Sequence, residues 1–172
     1  MKKGILLVFT GEGKGKTTAS LGVSIRAIGY GLSTLILQFI KRGDTGEVLF
    51  SRKYGEPLIV PLGMGQFIDK KSSNPIETIN CSLSLSLARA LISSELFDVI
   101  VLDEVGVAVS LGLLDVKALL DMVNSRPKGV TIIITGRNTP ESIIKNADIV
   151  SDVGDLKHHF KRGIKAIEGI DF

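Results

Sequence analysis

The sequence predicts an α/β fold, a mostly parallel central sheet with helices on both faces. Two patterns and one motif carry that expectation. Four β-branched apolar runs, Ile5–Phe9, Ser33–Phe39, Asp98–Leu102 and Val130–Thr135, read as strands buried on both sides, the mark of a parallel sheet. Helical patterns alternate with these runs, which is the order a layered α/β fold requires. A glycine-rich segment ending in Lys16-Thr17 joins the first run to the first helix, in the context that a phosphate-binding P-loop needs.

Each element has a local reason. Thr17–Tyr30 places Leu21, Ile25 and Ile28 at three- and four-residue spacing, and Gly29 and Gly31 stop it. Leu58–Pro61 is a shorter strand candidate. From Ile76 to Glu95 two periods compete. Cys81, Leu83, Leu85 and Leu87 alternate with serines as in a strand, but Ile79, Leu83, Leu87 and Leu91 recur every fourth residue, and the length favours a helix. Asp115–Asn124 aligns Leu119, Leu120 and Val123 before Pro127 ends the helix. Pro140–Lys145 opens with proline at a first helical position after Thr139. Asp148–Ser151 closes the set as a weaker strand. Residues 41–75 are the least regular, and a long irregular stretch inside a compact domain is usually a functional loop. With no repeat, low-complexity tract or linker, residues 1–172 are expected to form a single domain.

Composition narrows the function. Hydrophobic residues make up 44% of the 172 and charged residues 23%, an ordinary globular balance. Lys plus Arg is 21 against 18 acids, a formal +3, which suits small anions better than a nucleic-acid backbone. Aromatics are 5% with no Trp, so stacking platforms for single strands are scarce. Cys81 is the lone cysteine, which excludes an internal disulfide and a multi-cysteine metal centre. No apolar run approaches the roughly 18 residues of a membrane span, and Met1-Lys2-Lys3-Gly4 opens no signal-peptide pattern, so no membrane association is expected and cytoplasm is the expected compartment.

The chemistry concentrates at three strand ends. In Thr10-Gly11-Glu12-Gly13-Lys14-Gly15-Lys16-Thr17-Thr18 the glycines let the backbone turn and aim its amides inward, and the helix N-terminus adds to that anion nest. Lys16 is expected against phosphate oxygens and Thr17 on Mg²⁺. The loop is short, because only three residues separate Gly11 from Gly15-Lys16, one fewer than usual, and Thr10 stands at the usual first-glycine position. The dinucleotide pattern G-x-G-x-x-G fails at Gly11-x-Gly13-x-Gly15. Asp98–Leu102 ends in Asp103-Glu104, and such terminal acids bind Mg²⁺ directly or through water. Arg137, in Thr135-Gly136-Arg137, leaves a strand at the carboxyl edge of the sheet, where its planar fork could clamp phosphate. Lys41 and Arg42 follow a strand end and could meet phosphate or a side chain of the substrate. Cys81 reads as a core residue, His158 and His159 as a solvated turn or structural contact, and Lys2-Lys3 and Lys70-Lys71 as solvated charges.

Taken together these motifs resemble the ATP:corrinoid adenosyltransferase family of the CobA/CobO/BtuR type. The residues that carry the likeness are Thr10–Ala19, Gln38-Phe39-Ile40-Lys41, Val101-Leu102-Asp103-Glu104, Asn124-Ser125-Arg126-Pro127, Ile134-Thr135-Gly136-Arg137, Ala147-Asp148, Lys157-His158-His159-Phe160 and the tail Gly163–Phe172. The resemblance implies a RecA-like P-loop NTPase fold and a transferase. Such an enzyme moves the 5′-deoxyadenosyl group of ATP to the cobalt(I) of a reduced corrinoid and releases triphosphate, in adenosylcobalamin biosynthesis or corrinoid salvage. It implies that Gly11, Glu12, Gly13, Lys14, Gly15, Lys16, Thr17 and Thr18 hold the polyphosphate in a reversed orientation. Lys16 and Arg137 would act on the reacting nucleotide, with Lys41 nearby, and Thr17, Asp103 and Glu104 would hold Mg²⁺. It further implies a homodimer and a flavin-type reductant protein as electron source. Two other functions share the scaffold: a P-loop ATPase or small-molecule kinase, and a nucleotide- or corrinoid-binding paralogue without adenosylation.

The sequence departs from the family at Gln66 and Ile68, where members place Phe and Trp against the lower face of the corrinoid; only Phe67 is aromatic here. Ser151–Leu156 also replaces a typical run with Glu and Arg-Pro. Aromatic rings bring a broad apolar surface that shields an exposed metal face from water. Gln66→Phe with Ile68→Trp is therefore expected to speed the reaction that starts from bound cobalt(II) more than the one that starts from pre-reduced cobalt(I). Rates under a mild flavin reductant and a strong chemical reductant give the comparison, and an equal gain in both would detach these positions from axial-ligand removal.

Overall fold

A computed structural model of the chain describes residues 3–65 and 75–172. In chain order the elements are β1 (Leu6–Thr10), α1 (Lys16–Gly29), β2 (Thr34–Gln38), α2 (Gly46–Tyr54), β3 (Leu58–Pro61), α3 (Pro75–Ser93), β4 (Val99–Asp103), α4 (Val105–Ser110), α5 (Val116–Asn124), β5 (Thr131–Thr135), α6 (Glu141–Asn146) and β6 (Ile149–Asp152), followed by a 3-10 turn at His159–Arg162. The strands form one sheet in the order β3-β2-β4-β5-β1-β6 with every pairing parallel. The strands expected from sequence all form, each within a residue or two of its expected bounds. Gln66, Phe67 and Ile68 lie outside the described residues, as do Lys70 and Lys71.

Alternation along the strands splits the core into two layers. Leu6, Val8, Leu35, Leu37, Ile100, Leu102, Ile132 and Ile134 face one side and meet Cys81, Leu85, Ala88 and Ile92 of α3 and Leu119, Met122 and Val123 of α5. Leu7, Ile36, Ile59, Val99, Val101 and Ile133 face the other and meet Ala27 of α1 and Val48 of α2. Each fully buried Leu, Ile or Val side chain contributes about 1.5–3 kcal/mol of transfer free energy, so both layers are needed.

Three local findings differ from the expectation. First, α1 packs through Ser20, Ser24 and Ala27, not through Ile25, which is 59% exposed. Small side chains let the helix lie close to the strands, and Ser20 and Ser24 satisfy their hydroxyls on Thr17 O and Ser20 O. Second, α3 buries Cys81, Ser84, Leu85, Ala88 and Ile92, while Ile79, Leu83 and Leu87 of the four-residue ridge face outward. Third, two helices were not expected. α2 starts at Thr45 in extended conformation, carries Glu47 in its first turn and ends on Gly55 at φ 82°. Leu49, Phe50 and Tyr54 point to solvent, so no apolar stripe announces it. α4, Val-Gly-Val-Ala-Val-Ser, reads as a strand by composition.

The turn after β5 is locked by close backbone contact. A Cβ on Gly136 would sit 2.6 Å from Gly106 Cα and 2.7 Å from Val107 N at the start of α4. Gly136→Ala is expected to cost about 1–3 kcal/mol, because the obstruction is backbone and overpacking is not relieved by a rotamer change. Thermal unfolding would show it as a lowered Tm; an unchanged Tm would mean that this turn shifts freely.

Candidate functional site

In a parallel sheet all carboxyl ends lie along one edge, and ligands bind there. β1, β2, β4 and β5 end along it, and they bring together the residues that the sequence singled out for nucleotide or metal, apart from Gly11, which is outside the lining, and Arg42, whose Nε donates to Met64 O. Glu12 to Thr18, Lys41, Glu104 and Arg137 line one cleft of about 1010 Å³. Asp103 lies beneath its floor with no exposed surface.

The P-loop rests on the end of β6. Gly13 donates its N–H to Val153 O at 2.7 Å, and a side chain at Gly11 or Gly13 would collide with Asp152 or Gly154. Gly15, at φ 119°, turns the chain into α1. Lys16 Nζ donates to Gly11 O and Gly13 O, each at 2.6 Å, spanning the loop. Burial, then the nearby Arg137 guanidinium, holds the Lys16 ammonium below the usual lysine value. A pair of phosphates would satisfy both cations. Arg137 sits at the rim, 60% exposed and 3.8 Å from Glu12, so it is free to reorient toward a ligand.

Beneath the loop lies a polar network. Thr17 Oγ1 donates to Asp103 Oδ1 at 2.9 Å, and Thr135 Oγ1 donates to the same oxygen at 2.7 Å. Thr135 Oγ1 also accepts the Glu104 N–H at 2.8 Å. The second Asp103 oxygen faces Lys41 Nζ at 3.2 Å and Gln38 Nε2 at 3.3 Å. Gln38 Nε2 reaches Glu47 Oε1 at 2.9 Å, and Lys41 Nζ donates to Thr17 Oγ1 at 3.0 Å. Burial alone would lower the Lys41 ammonium, but Asp103, Glu104 and Glu47 outweigh it and hold it above the usual value. Burial pushes the Glu104 carboxyl above its usual range despite Lys41. The oxygens of Thr17, Asp103 and Glu104 are the hard donors that a divalent cation takes.

Sequence reasoning missed three members of this network. Gln38 stood in a quoted motif without a role, Glu47 stood in the irregular stretch, and Thr135 was passed over for Arg137 two residues on. A polar residue ending an apolar strand at the carboxyl edge was the available signal for Gln38 and Thr135. Nothing in the local sequence singled out Glu47, because its part depends on α2.

The tail forms a further wall. Asp171 accepts the Ile167 N–H at 2.8 Å and faces His159 Nε2 at 3.2 Å and Lys14 Nζ at 3.7 Å. His158 caps its own turn by accepting the Phe160 N–H at 3.2 Å. Both histidines make local contacts here, and both also line the cleft. Cys81 has no exposed surface and its thiol is pushed up to about 11, first by burial and then by Glu77, so it is no nucleophile. Among the described residues no helix is long and apolar enough to cross a membrane.

Residues 2–172 match the family described as ATP:corrinoid adenosyltransferase BtuR/CobO/CobP. The chain belongs to that family. It is 36% identical to the corrinoid adenosyltransferase CobA of Salmonella typhimurium over 99% of this chain and 87% of that protein. It is 35% identical to the corrinoid adenosyltransferase of Escherichia coli K12, again over 99% and 87%. The corrinoid adenosyltransferase of Pseudomonas aeruginosa is 31% identical over 99% and 85%. Among solved structures, the flagellar accessory protein FlaH of Methanocaldococcus jannaschii superposes with a TM-score of 0.51 at 15% identity, over 88% of this chain and 72% of that one. That likeness concerns the fold alone, a RecA-like P-loop fold built on a parallel sheet.

Glu104 ties this candidate site to stability. An acid whose folded pKa is raised loses stability when ionised, so the penalty is full above the folded pKa and vanishes below the unfolded value. Glu104→Gln is expected to raise the Tm at pH 7, with an advantage that shrinks as the pH falls toward the ordinary carboxylate value of 4.5. The same variant is expected to weaken Mg²⁺-dependent turnover. Thermal unfolding from pH 4 to 8 beside a Mg²⁺ titration checks both, and a lowered Tm at pH 7 would count against the buried-charge account.

Proposed function

We propose that this chain transfers the 5′-deoxyadenosyl group of ATP to the cobalt(I) of a reduced corrinoid and releases triphosphate. The observation that carries the reading is the shortened P-loop, with Lys16 spanning it, set directly over a buried carboxylate network at the sheet edge. Substrate cobalt(I) is itself a strong nucleophile. Its electron pair forms the cobalt–carbon bond at C5′ while the C5′–oxygen bond breaks and its electrons leave on the triphosphate. The protein therefore needs alignment and a stabilised leaving group more than a proton-transfer base.

The roles follow from position. The loop from Gly11 to Gly15 and the start of α1 hold the triphosphate, with the Gly13 N–H anchoring the loop on Val153 O and Glu12, Lys14 and Thr18 on the cleft wall. Lys16 and Arg137 neutralise the charge that grows on the leaving group, and Lys41 lies one layer below. Thr17, Asp103 and Glu104 fit Mg²⁺, because all offer oxygen and an ammonium already sits against two of them. Mg²⁺ supplies further charge neutralisation for the triphosphate when bound. Residues 1–172 act as one domain, in a cytoplasmic homodimer served by a flavin-type reductant protein, in cobalamin biosynthesis or corrinoid salvage.

The product left from ATP tests this reading. Anaerobic incubation with ATP, Mg²⁺ and chemically reduced corrinoid is expected to yield triphosphate and adenosylcorrinoid in equal amounts. ADP with phosphate would instead indicate an ATPase or kinase, and no turnover a binding paralogue. Lys16→Ala is expected to reduce turnover by about 100-fold or more, the scale of losing one charge-stabilising donor, with the fold retained. Normal ATP affinity and turnover in that variant would remove the phosphate-site assignment.

A further inference from the structure

Lys41 is part of the cleft lining, beside the other cations. Its ammonium is turned down into the network, 3.0 Å from Thr17 Oγ1, 3.2 Å from Asp103 Oδ2 and 3.5 Å from Glu47 Oε1. Only 24% of the side chain is exposed, against 14% for Glu47 and none for Asp103. Three oxygens from three separate elements thus converge on one positive charge. The backbone that sets this up is fixed. Leu62 donates its N–H to Gln38 O at 2.8 Å, and Gly63 lies against the carbonyl of Ile40 so closely that no side chain would fit. Gln38 holds the two carboxylates in register by donating to both.

Divalent cations with hard-oxygen preference take the same lone pairs at about 2.0–2.1 Å and complete an octahedron around them. An ammonium hydrogen-bonded to those oxygens occupies that space with charge of the same sign. From this geometry we propose that Lys41 and the divalent cation are mutually exclusive occupants of the Thr17–Asp103–Glu47 oxygens, and that Glu47 is a cation-site carboxylate in its own right. Lys41 is then a built-in counter-ion. It keeps the buried Asp103 compensated until the cation arrives, and its flexible four-carbon stem lets the charge withdraw into the cleft, where triphosphate is held. The cation is expected to enter with the nucleotide, because on its own it must expel a well-paired ammonium. This rests on the assignment of Thr17, Asp103 and Glu104 as the Mg²⁺ site.

Mn²⁺ binding to the full-length protein, read by electron paramagnetic resonance, tests the exchange without any turnover. In the absence of nucleotide the unmodified protein is expected to bind Mn²⁺ weakly. Lys41→Met and the more conservative Lys41→Gln are each expected to bind at least tenfold more tightly, and to gain a Tm increase on adding Mn²⁺ that the unmodified protein lacks. Glu47→Gln in the Lys41→Gln background is expected to cancel most of the gain. Arg42→Gln removes a neighbouring charge whose Nε donates to Met64 O, outside the network, and is expected to change nothing. Lys41 variants that bind Mn²⁺ no more tightly than the unmodified protein would overturn the exchange, as would an equal gain in Arg42→Gln. Asp103→Asn separates the two levels of the argument. If it leaves Mn²⁺ binding in the presence of ATP unchanged, the cation site itself is misassigned. If it abolishes that binding while the Lys41 variants show no gain, the site stands and the exchange falls.

Discussion

Asp103 is a carboxylate with no exposed surface, and four strand ends are arranged around it. A buried ion costs several kcal/mol of desolvation unless its partners are placed to compensate, and removing one partner of such an arrangement costs about 3–5 kcal/mol. Here Thr17 arrives from the P-loop after β1, Gln38 and Lys41 from the end of β2, and Thr135 from the end of β5, while β4 supplies Asp103 itself. The register of the sheet is therefore coupled to the geometry of the site. Gln38 pairs with Asp103 across β2 and β4, so a slip of either strand would separate the side chains that compensate the charge. The hydrophobic layers above and below bring the strands together, and the carboxylate specifies which residues meet at their ends.

The same arrangement explains what sequence could and could not reveal. The P-loop and Asp103-Glu104 were legible because both are local: glycines, a Lys-Thr pair and acids at a strand end carry their chemistry in neighbouring residues. The parallel sheet was legible because strands buried on both faces need continuous β-branched runs. α1 was placed correctly, but its packed face was misread, since a helix that lies close to a sheet does so with Ser20, Ser24 and Ala27, which a hydrophobic periodicity overlooks. Glu47 was invisible for another reason. Its role exists only when α2 is folded and brings it to Gln38 and Lys41, and α2 itself exposes Leu49, Phe50 and Tyr54.

The tail contributes in a different manner. Residues 167–172 close on themselves through Asp171 N to Ile167 O at 2.7 Å and Gly169 N to Phe172 O at 2.9 Å. That compact turn is docked mainly by charge, because Ile167, Ile170 and Phe172 remain 46%, 65% and 47% exposed. The Ile167 N–H, ahead of His159 and Lys14, holds the Asp171 carboxyl below its usual range. An acid shifted in this direction contributes stability above its unfolded pKa and loses it only as the pH falls through the depressed folded value. Lys14, 3.7 Å from Asp171, is a link between loop and tail.

Glu104 shows where the fold gives way to the site. It is a non-glycine residue at φ 61°, a left-handed conformation that costs energy and persists only where surrounding structure over-determines it. Two contacts do so: its N–H is held by Thr135 Oγ1, and its carbonyl accepts the Val107 and Ala108 N–H groups that open α4. The strained residue turns the chain out of β4 sharply enough to leave its carboxyl on the cleft wall while Asp103, one residue earlier, stays beneath it. A relaxed extended residue would carry the chain past the sheet edge and separate the two acids from the P-loop. Backbone strain and raised carboxyl pKa therefore have one structural origin, a turn tight enough to hold an acid half-buried directly beside the phosphate loop.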